Sequence, residues 1–487
     1  MNLESYFESY RKNIVGIDAC FESPYGLQKI VYADWIASGR LYKPIEDKLA
    51  NVFGPLVGNT HSESSATGKT MTNAYHLAHN IIKRHVNADD DDVIITTGAG
   101  MTSALAKFQR ILGVRLPENL FSHCELPDDE KPVVFITHME HHSNQTPWLE
   151  SIADVIVLEP DENLMVKPGS LENEIVKYEH REIKIGSFSA CSNVTGIETP
   201  VHELARIMHQ HSGYCFVDFA ASAPYVAIDM HPEDPLEKLD AVFFSPHKFL
   251  GGPGSSGVLI FSKHLYKNRI PDHPGGGTVT WTNPWGEHSY VDDIEIREDG
   301  GTPGFLQAIK AALSIKLKEK MNVEHMRHRE TELNALAFAK LRQIPGLNIL
   351  AENATERLGV FSFYISGIHH NLIVKLLNDR YGIQVRGGCS CAGTYGHFLL
   401  GVDRSQSQEI TDQINAGDFS SKPGWVRMSI HPTMSNDELE YILEALQSIV
   451  LHIEAWRKDY LFSPETAEFN HKDGERSARI AEWFAID

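Results

Sequence analysis

The sequence predicts an α/β fold, a sheet covered by helices on both faces, followed by a second, smaller α/β domain. Three observations point there. Short apolar runs of strand length recur from Asp92 to Phe261, with helical or loop segments between them. Reactive side chains follow these runs, so they gather on one predicted edge, where ligands of such sheets bind. With 487 residues the chain can bury a large core and build two domains.

Taken in order, residues 1–29 read as a helix-bearing arm and Ile30 to Ala33 as a short strand leading into YADWIASG. The segment VGNTHSESSATGKT (57–70) imitates a phosphate loop, but Glu63 stands where that loop needs glycine, so the match is rejected. A helix follows over Met71 to His85, then a strand at Asp92 to Thr97, a Gly98-Ala99-Gly100 turn and a helix from Met101. Strand, glycine turn and helix start aim free amides at a phosphate; an ordinary βα turn looks the same. Further strands are expected at Val133–Thr137, Val155–Leu158, Ile183–Ala190, Tyr214–Phe219 and Ala241–Phe244, with a return strand at Gly257–Phe261. His141 and His142, Asn193, Asp218 and Lys248 each follow or end one of these runs.

The stretch FFSPHKFLGGPGSSG (243–257) organises the reading. A lysine at the mouth of a buried strand is partly desolvated, which lowers its pKa and frees the amine to attack an aldehyde as a Schiff base. Ser245 and His247 can donate to a phosphate. The bland alternative is a solvated turn. Gly252, Gly254 and Gly257 spell G-x-G-x-x-G without a directly preceding strand, so no dinucleotide site is assigned.

Beyond an irregular stretch, a helix is expected from about Gly304 to Lys320. The smaller domain then reads as a strand at Leu358–Ile365, a helix at His369–Tyr381, Ile383–Arg386 entering GGCSCAG, a strand in WVRMSI (425–430) and a closing helix from Asn436 to about Trp456. The polar run 403–423 reads as a mobile loop, and the charged tail after Pro464 as frayed or a short helix. The expected domains are an arm (1–29), a large domain (30–310), a small domain (311–464) and a tail (465–487).

The balance of 44 basic against 65 acidic residues, net −21, argues against nucleic acid or an anionic membrane as partner. Six cysteines are too few for a secreted disulfide scaffold. Cys20, Cys124, Cys191 and Cys215 are expected to be buried and inert. The N-terminal MNLESYFESYRKN is unlike a secretory signal, and no apolar run spans a membrane, so a cytoplasmic protein is expected.

These motifs resemble the class V, fold-type I pyridoxal-phosphate enzymes, and within them the cysteine desulfurase and selenocysteine lyase branch. The resemblance covers about Tyr32 to Leu451. It rests on MEHHSNQTPW (139–148), SNVTG (192–196), VDFA (217–220), SPHK (245–248), GGGT (275–278), GTPG (301–304) and R-x-G-x-x-C from Arg386 to Cys391. It implies a large, mostly parallel seven-stranded sheet domain, a smaller C-terminal α/β domain and a homodimer. It makes Lys248 the lysine bound to pyridoxal 5'-phosphate and the base for the substrate Cα proton. Asp218 would pair with the pyridine nitrogen, His141 stack on the ring and Asn193 reach the phenolic oxygen. Ala99 and Gly100 amides, Ser245, His247 and Thr278 of the partner subunit would hold the phosphate.

Arg427, with Arg386 as a second candidate, would bind the substrate carboxylate. Cys391 would take the substrate's sulfur as a persulfide, passing it to a sulfur-acceptor protein. Without the resemblance, these side chains could equally be a capping carboxylate, core histidines and surface ion pairs. Two departures stand out: many relatives have threonines at Ala99 and Gly100, and often glutamine at Ala221. Cys389 could be a resolving thiol, half of a metal pair or a spectator, and a zinc set with Cys391 and His397 has no standard spacing. The implied reaction converts L-cysteine to L-alanine; selenocysteine lysis, cystine C–S lysis, epimerisation and transamination are the alternatives on this fold, and a cofactor-free scaffold or metal-binding protein is the alternative of another class.

Overall fold

The computed structural model describes residues 1–60, 64–121, 123–474 and 480–486, so Glu63 and part of the tail lie outside the described residues. The chain forms two compact units: Ala37–Ser192 with Ile197–Met326, and Met1–Ile36 with Asn193–Gly196 and Arg327–Asp487.

The first unit is built on seven strands: β1 Asp92–Thr97, β2 Val133–Thr137, β3 Asp154–Leu158, β4 Lys184–Ser189, β5 Tyr214–Asp218, β6 Ala241–Phe244 and β7 Gly257–Ser262. They lie in the order β1-β7-β6-β5-β4-β2-β3. Only β7 runs against its neighbours; the other six are parallel. This is the mostly parallel seven-stranded sheet that the resemblance implies. Helices α1 Ala66–His85, α2 Met101–Ile111, α3 His142–Leu149, α4 Val201–Gln210 and α5 Phe305–Met321 accompany it. Every residue of β2 is buried, the continuous apolar run of a strand covered on both faces. One face packs Phe135, Phe188, Val217 and Val242 with Leu204 of α4 and Ile309 of α5. The other packs Val134, Phe216 and Phe243 with Leu105 and Phe108 of α2. Helix α1 starts five residues before the expected Met71 because Ser65 caps it, accepting the Gly68 amide at 3.1 Å.

The second unit holds an antiparallel sheet of β8 Leu347–Ile349, β9 Val360–Ile365, β10 Arg386–Gly388 and β11 Trp425–Ser429, ordered β8-β9-β11-β10. The expected strand at 383–386 is divided: Ile383–Gln384 pairs with Val31–Tyr32, and Arg386 starts β10. Helices α6 His370–Tyr381, α7 Gly393–Leu400, α8 Arg404–Asn415 and α9 Asn436–Trp456 belong to it, with the helix Leu3–Arg11 and most of the helix Val323–Leu341. Its core joins Phe361, Phe363, Val426 and Met428 to Leu376 of α6 and Leu443 and Leu446 of α9.

Three expectations are corrected here. Residues 404–415, read as loop, are helix α8. Its Asp403 and Gln406 make a reciprocal capping box, which stabilises a helix that buries no side chain. The tail forms a hairpin, Tyr460–Ser463 with Glu468–His471, before a short 3-10 turn at Ile480–Phe484. Cys20 is exposed and Cys124 partly so, while Cys191 and Cys215 are buried. Cys20 opens the hairpin Cys20–Ser23/Gly26–Lys29, an isolated two-stranded ribbon that leaves it in solvent. Among the described residues, no helix is long and apolar enough to cross a membrane.

Candidate active site

In the first unit, β6 ends at Phe244, and Pro246, which cannot extend the ladder, opens a 3-10 turn over Pro246–Lys248. Gly252 folds back so tightly that a Cβ there would collide with the Pro246 carbonyl. Lys248 is thereby held at the strand's C-terminal end, its amide donating to the Ser245 carbonyl at 3.0 Å. Asp218 ends the adjacent β5 and is 4 % exposed. Burial raises its carboxyl to about 7, against the Ala220 amide (2.8 Å) and the Lys248 charge, which both favour the ionised form.

The Gly98-Ala99-Gly100 turn meets the same edge. The Met101 amide, in the first turn of α2, donates to Ser245 Oγ at 2.9 Å. His247 Nδ1 lies 2.9 Å from the Ala99 carbonyl, which only accepts, so that nitrogen carries the proton. Burial lowers the His247 pKa, leaving Nε2 an acceptor in the neutral ring; donation from it to a phosphate requires the imidazolium. Thr278 is fully buried, and its hydroxyl donates to the Gly275 carbonyl at 2.7 Å within its own turn.

His141 caps α3, its Nδ1 accepting the Ser143 amide at 3.0 Å, which fixes the ring orientation. Beside it lies a residue the motif reading passed over. Glu140 is 1 % exposed, and its carboxylate accepts from Thr137 Oγ1 (2.7 Å), Asn144 Nδ2 (2.7 Å) and Ser189 Oγ (2.6 Å). Burial raises its carboxyl, and these donors work the other way. Glu140 thus ties the ends of β2 and β4 to the His141 loop.

The second unit gathers the other candidates. Arg427, on β11, is 3 % exposed and donates to Asp34 Oδ1 (2.7 Å) and the Asn193 carbonyl (3.3 Å). Arg386, facing it on β10, donates to Asp34 Oδ2 at 3.1 Å. Asp34 therefore bridges both guanidiniums, and the sequence reading gave it no role although YADW was in view. Arg427 Nε is buried without a partner among the described residues. Cys391 is exposed. Asn193, grouped by sequence with Lys248 and Asp218, belongs by its contacts to this unit: Nδ2 donates to the Ser390 carbonyl at 2.8 Å, and Oδ1 is buried without a partner among the described residues. Both nitrogens of His397 are engaged, by the Gly393 carbonyl and Ser407 Oγ, each at 2.8 Å.

The residues present fit pyridoxal phosphate. A Cβ on Gly100 would stand 3.0 Å from both Ser245 Oγ and His247 Cε1, so glycine here keeps the space between the turn and these two side chains open. Asp218 is a buried carboxyl whose ionisation calls for a cation such as a pyridinium.

Residues 31–442 match the family Aminotransferase class-V. A probable cysteine desulfurase of Halobacterium salinarum is 28 % identical over 387 residues, covering 78 % of this chain and 86 % of its own. One from Staphylococcus epidermidis is also 28 % identical, covering 75 % and 84 %. The solved apo cysteine desulfurase of Thermococcus onnurineus superposes with a TM-score of 0.72 at 22 % identity, over 91 % of this chain and 98 % of that one. The S-sulfonic acid form of the Escherichia coli cysteine desulfurase CsdA gives 0.70 at 20 % identity, over 93 % and 99 %.

Proposed function

The chain belongs to the class-V aminotransferase family of pyridoxal-phosphate enzymes, and from that premise we propose that it is a cysteine desulfurase, converting L-cysteine to L-alanine and an enzyme persulfide. The observation that carries this choice within the family is an exposed thiol, Cys391, on the loop whose Ser390 carbonyl accepts from Asn193, the residue whose own carbonyl accepts from the buried, Asp34-held Arg427. The curated relatives named as probable cysteine desulfurases support it.

When bound, the cofactor supplies an electron sink for the substrate's Cα. Lys248 Nζ would hold the cofactor and, with substrate bound, would carry the proton from the substrate's Cα. Asp218 would pair with the ring nitrogen, and His141, oriented by its cap bond, would flank the ring. The Ala99 and Gly100 amides, Ser245 and protonated His247 would hold the phosphate in each subunit of a homodimer. Asn193 offers its remaining amide hydrogen to the phenolic oxygen. Arg427, with Arg386, takes the substrate carboxylate. The Cys391 thiolate then attacks the substrate's Sγ. The Cβ–Sγ bond breaks, its electron pair stays on Cβ, and a proton there completes the methyl of alanine. Cys391 keeps the sulfur, for delivery to an acceptor protein in the cytoplasm.

The experiment incubates the protein with cysteine, selenocysteine or cystine and measures alanine, sulfide and pyruvate. Alanine from cysteine, abolished in Cys391→Ser and in Lys248→Ala, is the expected result. Alanine formed from cysteine by Cys391→Ser would refute the desulfurase reading; activity confined to selenocysteine would assign a lyase, and pyruvate from cystine a C–S lyase.

A further inference from the structure

We infer that Cys389 is a resolving thiol: it displaces the sulfur held on Cys391 as sulfide and closes a Cys389–Cys391 disulfide. This rests on the desulfurase reading and gives the sulfur an exit that needs no acceptor protein.

The geometry of the cysteine loop carries the inference. The Ala392 amide donates to the Cys389 carbonyl at 3.0 Å, closing a four-residue turn. Its two central residues, Ser390 and Cys391, have φ of 52° and 57°. Neither is glycine, and the left-handed region costs such residues ~1–2 kcal/mol each. The turn is held from outside by Asn193, whose amide grips the Ser390 carbonyl. This conformation changes the reach of the pair. In an extended chain, residues two apart are separated by up to about 7 Å, at the outer limit for a disulfide. The hydrogen bond that closes the turn folds the segment back on itself, so Cys389 and Cys391 lie nearer each other than they would in a strand. Both thiols are reduced, Cys391 exposed and Cys389 partly so, hence open to exchange.

The step balances without an outside oxidant. The Cys389 thiolate attacks Cys391 Sγ; the bond from Sγ to the outer sulfur breaks; that sulfur leaves with the electron pair as HS⁻; and the Cys389–Cys391 bond forms. A dithiol reductant then opens the disulfide and is itself oxidised to a disulfide. A ring closed over one intervening residue is strained and readily reduced, which suits a bond remade each cycle.

The test is one turnover of the holoenzyme with cysteine and no added thiol, quenched by alkylation, with intact mass, peptide mapping, alanine and sulfide read together. The expected protein has lost the mass of two hydrogens, resists alkylation at Cys389 and Cys391, and has released one sulfide for each alanine. Cys389→Ser should instead keep one extra sulfur on Cys391, with first-turnover sulfide falling at least about tenfold. A wild-type protein carrying that sulfur beside an alkylatable Cys389 would overturn the inference while leaving the desulfurase reading intact. Loading Cys391 from inorganic trisulfide bypasses cysteine turnover. Loss of two hydrogens there, with no alanine from cysteine, would sink the desulfurase reading and leave the exchange standing; an extra sulfur retained there would sink the exchange.

Discussion

Asp218→Asn in cofactor-stripped protein tests the idea that this carboxyl is buried in wait for a cation. Its pKa is raised from 3.8 to about 7, with burial as the first cause. The native state therefore holds the Asp218 proton more tightly than the unfolded chain does. The stabilisation from that proton is fully present below pH 3.8 and is lost as pH rises through about 7. A shift of about three units is worth ~4 kcal/mol at ~1.4 kcal/mol per unit. Asparagine keeps the shape and ionises nowhere in this range. Urea unfolding at steps from about pH 4 to about pH 8 should show the variant gaining up to ~4 kcal/mol on the wild type. Restoring the cofactor should reverse the order at neutral pH, because the ionised Asp218 then faces a cationic ring nitrogen. Equal pH slopes in the two stripped proteins would refute the reasoning, since they would mean that the carboxyl is not desolvated.

Three further outcomes follow from the same geometry. Gly100→Ala puts a methyl against Ser245 and His247 and should weaken cofactor binding at least about tenfold, ~1.4 kcal/mol, in a fluorescence titration. Asp34→Asn strips Arg427 of its buried partner; with Arg386 half in solvent, a loss toward the lower end of ~3–5 kcal/mol is expected in denaturant unfolding, with a raised KM for cysteine. Glu140→Gln turns an acceptor-only group into one with a donor facing Ser189 and Asn144. It should cost ~1–3 kcal/mol in the same assay and lower kcat by loosening the His141 loop.

Much of the first unit was legible in the residues themselves. Strands such as Val133–Thr137 and Ala241–Phe244 are short, wholly apolar and bounded by turn residues, a pattern that neighbouring positions spell out. The glycine turn before α2 and the proline that stops the chain ahead of Lys248 are equally local. The helix at 404–415 was local too, since Asp403 and Gln406 spell its capping box, but the polarity of the run masked it.

What chain folding alone decided is which distant groups meet. Asp34 reaches Arg427 across 393 positions and Arg386 across 352, and no periodicity can announce an ion pair of that span. Asn193 follows a strand of the large sheet, yet its amide serves the Ser390 carbonyl. Glu140 was hidden beside a conspicuous histidine pair until two strand-end hydroxyls and a helix amide converged on it. Sequence determines which residues can do chemistry and where a backbone must turn, because those are properties of neighbours. Burial and the pairing of charges are properties of the packed chain, and they decide what each of those residues is free to do.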